Sequence, residues 1–153
     1  MTQPVPDTLG VTLKWFQLAV PSPTSKNRGV QIGVHFEEVA EMLDTVSGID
    51  TEADFLLTQA HAAMERLAAH MKTNPHSYLI LKENRKDFLD AVLDQIVTAT
   101  GSAHMLGMDL IGGMGEVNRS NYSKFVDGKP IFNEQGKIVK GPDYFKPNLT
   151  RFV

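Results

Sequence analysis

Two runs of acidic residues have types and spacings suited to chemistry. In HFEEVAEML, residues 35–43, Glu37, Glu38 and Glu41 fall within about one helical turn. At roughly 100° per residue, Glu38 and Glu41 lie about 60° apart on a helix, and Glu37 and Glu41 about 40° apart. Like charges so placed repel mildly. A hard cation would remove the repulsion, because magnesium prefers oxygen ligands and usually takes one or two carboxylates plus the phosphates of a substrate. A solvated acidic face with basic partners elsewhere is the other reading of the same three residues.

The second run is DFLDAVLDQIV, residues 87–97, where Asp87, Asp90 and Asp94 share one stripe at spacings of three and four. Aspartate is a poor mid-helix residue, since its short side chain competes for backbone groups. Asp87 suits a first turn, where the helix dipole favours an acid. Asp94 sits instead amid Val92, Leu93, Ile96 and Val97. An acid inside an apolar run calls for a partner, which is either a metal or an arginine such as Arg66 or Arg119.

The elements that must carry these residues read as helices. Val11, Trp15 and Leu18 space a helix over 9–20, and the Pro- and Ser-rich stretch 21–29 reads as a loop. A second helix over 29–46 puts Ile32, Phe36, Val39, Leu43 and Val46 on one stripe. A third starts at Asp50 or Thr51 as cap and runs to about Met71, ahead of Asn74-Pro75. A fourth spans about 83–105 with Gly107 as its C-terminal stop, and Asp109 opens a fifth that runs to about Lys124. GGMG at 112–115 lacks the GK[ST] ending of a phosphate loop and reads as close helix packing. Residues 1–8 form a lead-in, and 126–153, rich in Gly, Pro and Asx, form an arm containing a small hairpin or an ordered tail. The fold class is therefore all-α, four to five helices with an irregular C-terminal arm, in a single domain over 1–153.

Composition narrows the function. The chain has 153 residues, 42% hydrophobic and 22% charged, with a formal charge of −3. That balance argues against a nucleic-acid backbone partner, which needs clustered Lys and Arg. A small anionic ligand stays open, because a metal can supply positive charge locally. With no cysteine, disulfides, zinc-thiolate sites and thiol nucleophiles are excluded. No signal peptide and no membrane span are read, so the expected setting is the cytoplasm of a bacterium or phage-infected cell. The five histidines show no metal-ligand spacing.

Taken together, EEVAE at 37–41, DAVLDQIVTATGSAHMLGMDL at 90–110, EVNRSNYSKF at 116–125 and GKIVKGPDYFKPNL at 136–149 resemble the all-α nucleoside triphosphate pyrophosphohydrolases, the MazG-like and phosphoribosyl-ATP-pyrophosphohydrolase-like enzymes. The last segment looks like the tail of one bacterial and phage branch. The resemblance implies a MazG-like bundle that assembles into homodimers or homotetramers. It also implies hydrolysis of a (deoxy)nucleoside triphosphate to the monophosphate and pyrophosphate, with magnesium or manganese between the glutamate and aspartate helices.

Residue by residue, Glu38, Glu41 and Asp94 match metal ligands of that pattern. The glutamate of the ExxD motif falls at Ala91, where this sequence departs; Asp90, one turn before Asp94, offers a carboxylate in its place. Glu38, or Glu37 beside it, would orient or deprotonate the attacking water. Lys124 matches a phosphate-contacting lysine and Asn121 an asparagine near the sugar or metal, with Asn118 on the same helix edge. The bland reading of these three is an ordinary helix end. Trp15 with Phe16 is either a base-stacking candidate or a core pair, and Tyr144 with Phe145 in the tail are the other stacking candidates. The tail resembles that of enzymes acting on purine deoxynucleotides, hence a lean towards dGTP or GTP. A phosphoribosyl-ATP substrate, or a helical nucleotide-binding protein that has lost catalysis, is the alternative.

Overall fold

In the computed structural model, which describes residues 6–134 and 138–153, α1 (Thr8–Ala19) begins where the Asp7 carboxylate accepts the Gly10 N–H at 2.8 Å. α2 (Ser25–Leu43), α3 (Thr51–Thr73), α4 (Arg85–Met105) and α5 (Leu110–Tyr122) follow in chain order. The chain is all-α with an irregular C-terminal arm, as its sequence predicts. It divides into two compact units: residues 22–82 form one, and residues up to 21 together with 83–153 form the other. No helix among the described residues is long and apolar enough to cross a membrane.

The unit of residues 22–82 is an α2–α3 hairpin of helices. α2 starts at Ser25, four residues before the predicted Gly29, because a reciprocal cap closes its first turn. Thr24 Oγ1 accepts the Asn27 N–H at 3.2 Å, and Asn27 Oδ1 accepts the Thr24 N–H at 2.9 Å. α3 starts at the predicted cap, with Asp50 Oδ1 accepting the Ala53 N–H at 2.8 Å. The predicted core stripe of α2 is corrected. Gly29, Gly33 and Ala40 are the buried residues of α2, whereas Ile32, Phe36, Val39 and Leu43 are half-buried. Small residues win because the backbones come very close: a Cβ at Gly29 would lie 2.4 Å from the Pro75 carbonyl oxygen.

In the other unit α1 packs on α5, with Trp15 and Ala19 buried on α1 and Asn118 buried on α5. α4 ends in a Schellman turn, with Gly107 N–H donating to His104 O at 3.0 Å and Met108 N–H to Ala103 O at 3.1 Å. Gly107 takes a φ of 75°, which glycine reaches without a Cβ penalty. Asp109 then caps α5 through the Gly112 N–H at 2.9 Å. The close packing read from GGMG is seen at Gly112, where a Cβ would come 2.5 Å from the Phe152 ring. In the arm, Asp127 and Gly128 both have positive φ, and the Val126–Lys129 pair closes a two-residue reversal around them. A second bridge joins Phe132 and Ile138, while Gln135 and Gly136 of the NEQG stretch lie outside the described residues.

Candidate functional site

Glu38 and Glu41 are exposed on α2, and Glu37 is half-buried towards α3. Lys72 Nζ donates to Glu37 Oε1 at 2.5 Å. The sequence prepares this contact one turn earlier. A Cβ at Gly33 would stand 3.1 Å from Lys72 Cγ, so the glycine leaves the lysine stem room to lie along α2. An open groove of about 350 Å³ runs beside the pair, lined by Glu37, Glu65, Arg66, Ala68, Ala69 and Lys72.

Asp87, Asp90 and Asp94 are all exposed on α4, a helix without one buried side chain. The alternative of Asp94 as a buried aspartate paired with an arginine is therefore corrected, since its side chain is exposed. Arg119, one of the two arginines named for it, is bound to Glu116 instead. Both acidic pairs offer carboxylate oxygen alone, the donor type that suits a hard divalent cation. Among the described residues no three His, Asp or Glu side chains converge into a ready metal cluster.

Of the residues predicted to meet a nucleotide, the structure brings Trp15, Asn121 and Lys124 together. Trp15 Nε1 donates to Asn121 O at 3.0 Å, and Lys124 Nζ donates to Asn121 Oδ1 at 2.8 Å. Of its two readings, Trp15 takes the core one: its ring is about nine-tenths buried and stacks on Phe125 at 5.7 Å, which leaves no face open for a base. Phe16 packs edge-on against it at 5.0 Å.

Asn118 also departs from the nucleotide-binding expectation. It is 4% exposed, with Oδ1 accepting from Thr12 Oγ1 at 2.8 Å and Nδ2 donating to Thr8 O at 3.0 Å. Both ends of its amide are engaged in joining α5 to α1. Beside it, a groove of about 460 Å³ is lined by Thr8, Val11, Gly115, Asn118, Arg119 and Tyr122, among others.

The arm is strapped along α5 by polar side chains. Glu116 is buried, receives two nitrogens of Arg119 at 2.9–3.0 Å, and accepts the Asn148 N–H at 3.0 Å. The Asn148 hydrogen bond, then the Arg119 guanidinium, hold its carboxyl below the usual range. Ser120 Oγ donates to Phe145 O at 2.8 Å, and Ser123 Oγ accepts the Phe145 N–H at 3.2 Å. Arg119 lies over the Phe145 ring at 4.4 Å, and Lys140 Nζ over the Tyr144 ring at 4.7 Å, so both tail aromatics already carry a cation.

Sequence reasoning missed Lys72 and Glu116. Lys72 looks like any base in a last helical turn, and its partner lies on another helix. Glu116 and Arg119, three apart, were legible as a helical ion pair, but the Asn148 amide was not. No family model matches the chain, and no curated protein or solved structure matches it either.

Proposed function

We propose that this protein hydrolyses a (deoxy)nucleoside triphosphate to the monophosphate and pyrophosphate, in a reaction dependent on magnesium or manganese. One observation carries the reading: two one-turn carboxylate pairs, Glu38/Glu41 and Asp90/Asp94, stand exposed on long helices. In a chain of charge −3, a bound metal ion would offset the phosphates of a triphosphate locally. Glu38 and Glu41 on α2 would hold such an ion, and so would Asp90 and Asp94 on α4.

When bound, magnesium supplies neutralisation of phosphate charge and Lewis acidity. Glu38 orients and deprotonates the attacking water. The water oxygen forms a new bond to phosphorus as the bridging oxygen leaves with its electron pair on pyrophosphate or on the monophosphate. Lys124 offsets the charge that develops on the phosphate oxygens. The resemblance of the tail favours purine substrates such as dGTP or GTP.

The test is pyrophosphate release from a panel of ribo- and deoxynucleoside triphosphates with Mg2+ or Mn2+. Glu38→Gln and Asp94→Asn should each abolish release while circular dichroism and thermal midpoint stay close to the parent. Turnover that survives both substitutions removes the metal assignment. Ala91, in place of the motif's glutamate, favours a second reading, a nucleotide-binding protein without turnover; binding with no release from any nucleotide would establish it.

The proposal includes self-association, supported by Phe88, Leu89, Leu93, Ile96 and Val97, all exposed on α4. Light scattering should give a dimer or tetramer mass, and a clean monomer would contradict it.

A further inference from the structure

Charge is segregated along the α2–α3 hairpin. Residues 22–82 contain eight acids, all between 37 and 65, and five Lys or Arg. Lys26 and Arg28 come before that interval, and Arg66, Lys72 and Lys82 after it. Folding the chain into two antiparallel helices turns this order into two poles. The tip, where α2 hands over to α3, is acidic, with Asp44, Asp50, Glu52 and Asp54 exposed. The opposite end is basic, with Lys26 and Arg28 exposed at the start of α2. That start lies beside the residues that follow α3, Ser25 Oγ being 3.4 Å from His76 Nδ1.

Both poles are apolar as well as charged. Asp44 meets His61 at 3.2 Å, ten residues into α3, so the first turns of α3 run about 15 Å past the end of α2. The loop beside them is pinned: a Cβ at Gly48 would clash with the Asp54 backbone, and Asp50 caps α3. It holds out Ile49, which is 98% exposed, and Val46, Phe55 and Leu56 are exposed at the same end. Past the basic end, Leu79, Ile80 and Leu81 are exposed in succession. Between the poles, Ile32, Phe36, Val39 and Leu43 are half-buried. Glu52 and Asp54 suit the first turn of α3, where the helix dipole favours acids, but that leaves the apolar residues unexplained. Large apolar side chains exposed together mark an interaction surface.

One hairpin cannot join its own poles. Thr51 and Thr73, the ends of α3, stand about 33 Å apart along the helix axis, several times the reach of a side chain. We propose that the tip is covered by the basic end of a second copy of this chain, with the two hairpins antiparallel. Each copy carries both poles, so a two-fold pair makes the contact twice. Charge fixes the direction, because a parallel pair would set acid against acid and base against base. This surface shares no residue with the exposed face of α4, and nucleotide hydrolysis plays no part in it.

Sedimentation velocity on the full chain reads the contact. The parent should dimerise, with a Kd that rises between about 0.1 M and about 1 M NaCl as the screening length falls from about 10 Å to about 3 Å. Glu52→Lys with Asp54→Lys makes the tip basic, and Lys26→Glu with Arg28→Glu makes the other end acidic. Each double variant alone should bind itself at least about tenfold more weakly than the parent does. Mixed in equal amounts, the two should form a dimer again, because opposite charges then meet at both contacts. That recovery shows that both variants are folded. Ile49→Ser, at a side chain that supports no core, should weaken the parent dimer about tenfold.

A parent that stays monomeric overturns the proposal. So do charge-reversed variants that associate as the parent does, a mixture that stays monomeric, or an Ile49→Ser dimer as tight as the parent's. An assembly indifferent to both reversals leaves the α4 face as the site of self-association and removes this one. Pyrophosphate release is read in a separate assay, so its absence removes the hydrolase reading without touching the hairpin contact.

Discussion

Lys72 on α3 reaches Glu37 on α2 across 35 positions of sequence, with 2.5 Å between Nζ and Oε1. A carboxylate held this way has one oxygen engaged by a fixed cation, which leaves it less available to a metal ion or a water. Glu37→Gln should therefore slow turnover by roughly tenfold or less, against at least about a hundredfold for Glu38→Gln, the usual scale for losing a general base. Initial rates at saturating Mg2+ and nucleotide decide it. Equal losses would mean that Lys72 does not divide the two glutamates.

The same pair bears on stability. Both partners are about one-third exposed, so solvent screens the interaction. Lys72→Met should cost about 0.2–1 kcal/mol in urea unfolding, the range of partly exposed ion pairs. A shift of the midpoint without a change of slope is the expected form.

Glu116 gives the arm a pH dependence with a definite sign. Its folded pKa is depressed, chiefly by the Asn148 N–H and then by Arg119. Its contribution is fully present above the ordinary carboxylate range and is lost as pH falls through the lower folded value. Hydrogen exchange at the Asn148 amide should accelerate, relative to intrinsic rates, as the buffer is acidified through that window. In Glu116→Gln the acceleration should be absent and the exchange fast throughout. A parent protein whose Asn148 protection ignores acid would contradict the latch.

Gly29 tests the close approach of α2 to the end of α3. Gly29→Ala places a methyl against the backbone of Pro75, which has no rotamer with which to yield. Overpacking of this kind costs about 1–3 kcal/mol, read as a thermal midpoint several degrees lower. Gly101→Ala, whose added Cβ meets nothing within 4 Å, should not lower it.

Cation dependence checks the carboxylates. EDTA should stop turnover, and Mg2+ or Mn2+ should restore it. Asp90→Asn should raise the Mg2+ concentration needed for half-maximal rate, because the proposed ligand set has its carboxylate in place of the motif glutamate absent at Ala91. A titration superimposable on the parent would remove Asp90 from the ligand set.

What the sequence disclosed was mostly local. Asp50 and Asp109 are caps that precede their helices by one residue, and Gly107 stops α4 because the turn demands positive φ. Such signals need no partner from afar. Thr24 and Asn27 hid in a stretch that looked like loop, since Asn at the third helical position is a less familiar half of a capping box than Glu or Gln. The large apolar residues of α2 pointed to the wrong stripe. Helical periodicity weighs hydrophobicity, whereas close helix contact selected Gly29, Gly33 and Ala40 for size. At the candidate site the acidic pairs were legible by spacing alone. The commitments of Asn118 to α1 and of Glu37 to Lys72 depend on which helices become neighbours, and no local pattern carries that.

The hydrogen bond between Thr12 and Asn118 spans 106 positions, and the one from Trp15 to Asn121 spans as many. Residues 22–82, which pair a helix with its immediate successor, lie wholly within that interval. On a ribosome, α2 and α3 can therefore dock while α1 still waits for its partner to be made. Short-range closure is the faster event in any case. Pairing of α1 with α5 should be the late, slow step, and Trp15, which becomes buried only then, is a built-in clock for it.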